Sequence, residues 1–237
     1  TELMLSDLDS PERRTEQMRK RATGKDKEAM TLLPVMDEAL ALLREGKPVR
    51  LMLKGIAAED LRILRSLNLL TSKPVLYVCN VEEGDAATGN EFTRAVDAMA
   101  ADQNAETVII SAAIEAEVSQ LSDEEQKEFL DAMGLEEPGL DRLIQAGYKL
   151  LDLITYFTAG PKETRAWTIS RGTKAPQAAG VIHTDFERGF IRAQTIAYND
   201  YVTLGGEVAA KEAGKARDEG KEYVVQDGDV LMFKFNT

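Results

Sequence analysis

The sequence predicts an α/β chain of several domains, and three observations carry that prediction. Over residues 1–70, apolar residues recur at three- and four-residue spacing, as in amphipathic helices. Over residues 71–152, short apolar runs alternate with helical segments, the pattern of a parallel sheet. Over residues 153–237, strand-forming runs dominate.

The elements follow in order. Asp9-Ser10-Pro11-Glu12 offers a capping residue and a proline suited to a first helical position, so a helix is expected to begin there and run through Arg13, Arg14, Arg19, Lys20 and Arg21. Ala29, Leu32, Leu33, Met36, Ala39, Leu40 and Leu43 define a second helix, with Gly46 and Pro48 as its stop. A turn near Thr23-Gly24-Lys25-Asp26 would make the pair a hairpin. A third helix is expected from about Ala58 to Leu67, before Lys73-Pro74. The run Pro74 to Cys79 reads as a strand buried on both faces, and Thr107 to Ile110 as its neighbour, with a helix over 88–101 between them. Residues 122–133 and 139–151 read as two more helices, the first opened by the capping box Ser122-Asp123-Glu124-Glu125. Beyond Leu153, residues 165–169, 222–225 and 230–235 read as strands. Asp227-Gly228 supplies a turn, and a helix over 176–188 would lie across the sheet, giving a small α+β domain.

At 237 residues and 43% hydrophobic, the chain can bury a sizeable core. No apolar run approaches the roughly 18–20 residues of a membrane span, and no signal-peptide pattern opens the chain, so no membrane partner and a cytoplasmic location are expected. A single cysteine, Cys79, excludes an internal disulfide, and a single histidine, His183, excludes a multi-histidine metal site. The net charge of −12 opposes nucleic-acid binding in general, yet it is unevenly spread. Residues 71–152 carry five basic and eighteen acidic groups, which leaves both ends balanced and able to present basic patches.

The loop Asn80-Val81-Glu82-Glu83 follows a strand end, where α/β sheets bind ligands. An amide and a carboxylate three residues apart can read the edge of a purine. A G-domain usually carries Asn-Lys-x-Asp there, so Val81 stands at the lysine position and Glu83 at the acidic one. The next strand ends in Ser111-Ala112, whose backbone N–H groups can reach the base from the other side. Each fragment alone reads more readily as a strand end capped by a polar turn.

Taken together, the stretch from Leu69 to Glu83, Ser111-Ala112, Ile114 to Glu117, Leu140 to Tyr156, Gly180 to Ala193 and Asp227 to Val230 resembles the YchF family, the Obg-like ATPases, along essentially the whole chain. The resemblance implies a partial P-loop-type G-domain over residues 71–152, with a helical hairpin, or coiled-coil insertion, over 1–70. It further implies a TGS domain, a ubiquitin-like β-grasp module, over 153–237. Asn80, Val81, Glu83, Ser111 and Ala112 would form the base pocket for ATP or GTP, with ATP preferred. Ala113 stands where a lysine often follows the Ser-Ala pair. The TGS module is shared with threonyl-tRNA synthetases, translation GTPases and stringent-response enzymes, so RNA or the ribosome is the implied partner. Arg171, Lys174 and His183 are the candidate contacts in that domain, and Arg13, Arg14 and Lys20 in the hairpin. His183 reads first as a structural residue, with RNA contact the alternative, and the hairpin cations read equally as a solvated helix face.

No Gly-x-x-x-x-Gly-Lys-Ser/Thr phosphate loop occurs in the sequence. Gly24-Lys25 is followed by Asp26, with Arg19 where the first glycine belongs, and reads as a turn. The family places its phosphate loop and magnesium ligands ahead of the hairpin. The implied Mg²⁺ therefore belongs to the intact enzyme, and no catalytic or metal-ligating residue is assigned here. The expected role is the C-terminal portion of a ribosome-associated nucleotide hydrolase, itself inactive. The alternative is an RNA- or ribosome-binding module without nucleotide chemistry.

Overall fold

A computed structural model describes residues 2–160 and 163–236, which fall into two compact units, Thr1–Leu150 and Leu151–Thr237.

In the first unit, α1 (Glu2–Thr23) and α2 (Lys27–Arg44) pack side by side as a hairpin. The turn between them is closed by Gly24 N–H donating to Arg21 O at 3.0 Å and by Lys25 in the left-handed region at φ +60°. Asp26 caps α2 by accepting from Ala29 N–H at 3.2 Å, and Arg21 reaches both Asp26 and Glu28. The Ala29 N–H, then the Arg21 guanidinium, hold the Asp26 carboxyl below the usual range.

The first helix begins nine residues before the position that Pro11 suggests. Proline lacks an N–H and ordinarily opens a helix, yet Pro11 lies buried inside α1. Tertiary contacts explain this. Met4 and Leu8 pack against the core formed by Val35, Ala39, Leu43, Val49 and Leu64, while the buried Asp7 carboxylate accepts from Leu70 N–H, Thr71 N–H and Thr71 Oγ1 at 2.7–2.8 Å. Those contacts hold the turn that proline alone would end.

A 3₁₀ turn at Val49–Leu53, α3 (Ala58–Ser66) and a second 3₁₀ turn at Leu70–Ser72 lead into β1 (Leu76–Asn80). Arg50 is buried and donates to Gln103 O at 3.1 Å and to the Gln103 side chain, which Tyr77 Oη also meets at 3.1 Å. Gln103 caps the C-terminus of α4 (Glu91–Asp102), where a cation is favourable. Next come β2 (Glu106–Ile110), α5 (Ala112–Val118), α6 (Asp123–Ala132) and α7 (Gly139–Leu150). The Ser122/Glu125 capping box opens α6 as its spacing predicts.

β1 and β2 pair in parallel, Asn80 level with Ile110, as a two-stranded sheet. The expectation of a strand buried on both faces fails: β1 is half-buried and Val78 is 45% exposed. A strand with one hydrogen-bonded neighbour cannot be enclosed as the centre of a wide parallel sheet is.

The second unit is a five-stranded sheet in the order β4-β3-β7-β5-β6. Its elements are β3 (Leu153–Ala159), β4 (Thr164–Ser170), α8 (Ala175–Ile182), α9 (Thr184–Arg188), β5 (Phe190–Ala197), α10 (Tyr198–Leu204), α11 (Glu207–Glu212), β6 (Arg217–Glu219) and β7 (Asp229–Phe235). Ile154, Tyr156, Ile169, Ala193 and Leu231 on one face pack with Ala175, Ala178 and Ala179 into a closed core. Tyr156 Oη donates to Ala178 O at 2.8 Å, and its ring stacks on Trp167. Gly189 has no room for a Cβ, which would overlap Asn236 O. Asn236 N–H also donates to Gly189 O at 2.9 Å.

Two expectations change here. The helix over 176–188 is broken at His183, whose extended backbone ends α8 and whose Nδ1 accepts from Asp185 N–H to cap α9. Residues 222–225 form no strand. They make a single bridge, Lys174 with Val224, because Val225 turns into the core and Asp229 draws the chain back by accepting from Tyr223 Oη and Gln226 N–H.

Among the described residues no helix is long and apolar enough to cross a membrane.

Candidate purine-reading edge

Parallel pairing brings the carboxyl ends of β1 and β2 to one edge, so Asn80, Val81, Ser111 and Ala112 become neighbours although about 30 residues separate them in sequence. Val81 N–H extends the ladder to Ile110 O at 2.9 Å. Asn80 Oδ1 accepts from Ala112 N–H at 3.0 Å, which ties the two loops together across the edge. An amide has one acceptor and two donors. With Oδ1 engaged, Asn80 presents its Nδ2 hydrogens outward from an exposed position.

Glu83 opens a short 3₁₀ turn, Glu83–Asp85, and is exposed beside this edge. Its turn is anchored from behind. Asn90 Nδ2 donates to Asp85 at 2.8 Å, while Asn90 Oδ1 caps α4 through Phe92 and Thr93 N–H. Ser111 precedes α5 and is buried, with no hydrogen-bond partner for its Oγ among the described residues. Below the edge, the Glu115 carboxylate accepts from Gly139 N–H at 2.7 Å and Leu140 N–H at 3.1 Å, joining α5 to the N-terminus of α7. Asn90 and Glu115 position the loops, and the sequence reading gave neither a role. Asn90-x-x-Thr93 carried a visible capping signal; Glu115 carried none, since its partners lie 24 and 25 residues on.

Cys79, next to Asn80, is half-buried; burial, then Asp97, pushes its thiol up and away from nucleophilic use. Among the described residues no group of three or more His, Cys, Asp or Glu side chains could hold a metal ion.

The six residues named as RNA contacts are divided between the two units. In the second unit, Arg171 pairs with Asp152 at 3.2 Å and Lys174 with Glu222, both at the surface. The His183 ring is exposed and engaged in capping α9. On α1, Lys20 lies 3.9 Å from Glu16, whereas Arg13 and Arg14 line a shallow surface depression with Asp9, Ser10 and Gln17.

Comparison with known proteins places this arrangement. A ribosome-binding ATPase YchF of Haemophilus influenzae is 53% identical over 236 residues, all of this chain and 64% of that protein. The chain belongs to the YchF family. The Bacillus subtilis ribosome-binding ATPase YchF is 48% identical over 237 residues, again 64% of its length. The family model YchF-GTPase_C, described as a protein of unknown function (DUF933), matches residues 153–236. The structure of the Schizosaccharomyces pombe YchF GTPase superposes with a TM-score of 0.85 at 34% identity, over 98% of this chain and 63% of that one. The YchF fold is therefore shared across both units, and the chain spans 64% of the length of the curated relatives it matches.

Proposed function

We propose that this chain is the base-selecting and partner-binding portion of a ribosome-associated ATPase, in which residues 71–152 read the purine. Residues 1–70 serve as a helical-hairpin, coiled-coil arm and 153–237 as a TGS module. The Asn80 Oδ1 to Ala112 N–H bond carries this reading. It leaves Asn80 Nδ2 to donate to the purine N7, while the Glu83 carboxylate accepts from an exocyclic amino group. It also bears on which purine is taken. Ala112 N–H, already donated to Asn80, is withdrawn from the O6 acceptor of guanine. Adenine carries an amino donor at that position and loses nothing by this. ATP is accordingly preferred over GTP.

Phosphate binding and hydrolysis, with their Mg²⁺, belong to the intact enzyme, and no residue of this chain is given a catalytic role. The acidic surroundings of the edge, five basic against eighteen acidic groups over 71–152, fit a surface that grips the base and not the phosphates. The names of the relatives, ribosome-binding ATPases, support a ribosomal partner and a cytoplasmic setting.

Calorimetric titration of the chain with ATP and GTP tests the proposal. ATP-preferring binding that Glu83→Ala weakens is the expected result; equal heats for both nucleotides, unaltered by that substitution, would reject the purine-reading role. The second reading, an RNA- or ribosome-binding module alone, is favoured by Arg13 and Arg14 on the exposed face of α1 and predicts ribosome co-sedimentation lost in Arg13→Glu/Arg14→Glu.

A further inference from the structure

The core beneath the hairpin is not closed on all sides. A cavity of about 290 Å³ opens beside α3, lined by Leu53, Leu61, Leu64 and Leu69, with Arg65 and Lys73 on its wall. Leu64 and Leu69 belong to the buried core cluster, so the cavity floor is core surface. Protein interiors pack as densely as organic crystals, and voids larger than a water are few per domain. This opening would hold on the order of ten waters at about 30 Å³ each. Water there meets leucine side chains that gain by burial.

Charge adds a second, independent feature. The chain carries 41 acidic and 29 basic residues, yet two cations and no carboxylate line this cavity. Among the described residues neither Arg65 nor Lys73 is in an ion pair, whereas Arg19, Arg21 and Arg44 on the hairpin all are. Asn68 and Ser72 add polar groups at the same wall. Leucines below and unpaired cations beside them complement an apolar body with an anionic end.

We infer that this cavity binds a small amphiphilic anion, a carboxylate or phosphate on an apolar body of about ten heavy atoms. The leucine floor takes the body, and Arg65 and Lys73 take the charge. The site lies apart from Asn80, Glu83, Ser111 and Ala112, so it stands whether or not those residues read a purine.

The test uses the full chain with ¹³C-labelled leucine methyl groups, titrated with octanoate and octyl phosphate, with 1-octanol and inorganic phosphate as controls. Saturable shifts confined to Leu53, Leu61, Leu64 and Leu69 are expected with the two amphiphilic anions. Arg65→Gln/Lys73→Gln, both at the exposed surface, should weaken that binding about tenfold, the loss of one or two charge-assisted contacts, and leave the 1-octanol response unchanged. Leu61→Trp should fill the cavity and abolish the shifts. Shifts scattered over other apolar surfaces, no shifts at all, or equal affinity in Arg65→Gln/Lys73→Gln would each overturn the assignment. That double variant changes only surface side chains, so it remains informative if Leu61→Trp fails to fold.

Discussion

The two sheets of the molecule differ in how far their own neighbouring elements cover them. In the five-stranded sheet, Tyr156 and Ala193 are fully buried and Ile154 almost so, beneath α8 and α9. Around the two-stranded sheet, Val78 of β1 is 45% exposed, Phe92 of α4 72% and Leu140 of α7 54%. Two strands alone are marginally stable in water. The two-stranded sheet is therefore held by polar anchors, the buried Asp7 carboxylate and Arg50 guanidinium on segments that precede its strands and the half-buried Glu115 cap near their carboxyl ends. The C-terminal sheet takes its rigidity from apolar packing. Each source of rigidity predicts a different response to substitution.

The largest effect is expected in the packed sheet. Tyr156→Ala removes a buried ring that contacts Trp167 and Phe233 and cancels the bond to Ala178 O. A loss of about 3–5 kcal/mol is expected. Trp167, the sole tryptophan, reports on this unit, so urea unfolding of the whole chain followed by its fluorescence should shift to lower denaturant. An unmoved midpoint would break the comparison at its apolar end.

Asp7→Ala probes the polar end. It strands Thr71 N–H and removes the acceptor of Thr71 Oγ1 in a buried place, and frees Leu70 N–H beside them, so about 2–3 kcal/mol of stability should go. The loss should appear in helical circular dichroism while the Trp167 transition stays where it was. Equal movement of both signals would mean that the two units unfold as one.

The difference between the sheets also shows what the sequence could reveal. Helix α2, α3, the α6 capping box and β7 were legible because period and caps are local properties. The start of α1 was not, because Asp7 bonds residues 63 and 64 positions away, and that contact outweighs the stop signal of Pro11. Residues 222–225 have strand composition, yet the Asp229 carboxylate and the burial of Val225 decide their path. The break at His183 rests on a ring nitrogen serving as a cap, an uncommon role for histidine. At the proposed base-reading edge, the residues themselves were visible as motifs. The Asn80 to Ala112 bond was not, since only the parallel register of β1 and β2 creates it.

Asn80→Ala sharpens the comparison at that bond. Its removal should cost about 1 kcal/mol, the net value of one exposed hydrogen bond, well below the Asp7 effect. The consequence for ligands should be larger in kind than in size. Ala112 N–H is freed to meet an O6 acceptor, so the preference for ATP over GTP should narrow or reverse in paired calorimetric titrations. A variant that binds both nucleotides as before would detach base selection from this contact.

The smallest expected effect is the most discriminating. Ser111 is buried beside Asn80 and Ala112, and its Oγ has no partner among the described residues. A hydroxyl in that position contributes nothing that a methyl group would lose, and its burial carries a desolvation penalty. Ser111→Ala should thus leave stability within about 0.5 kcal/mol of the parent or raise it slightly. Because the Oγ is buried and the backbone N–H groups assigned to the base remain, the same substitution should leave nucleotide binding unchanged in paired titrations. Neither stability nor affinity then turns on this hydroxyl. A stability loss of 2 kcal/mol or more, read as ~2 on the scale of a broken buried bond, would instead mark the hydroxyl as a structural partner of the fold.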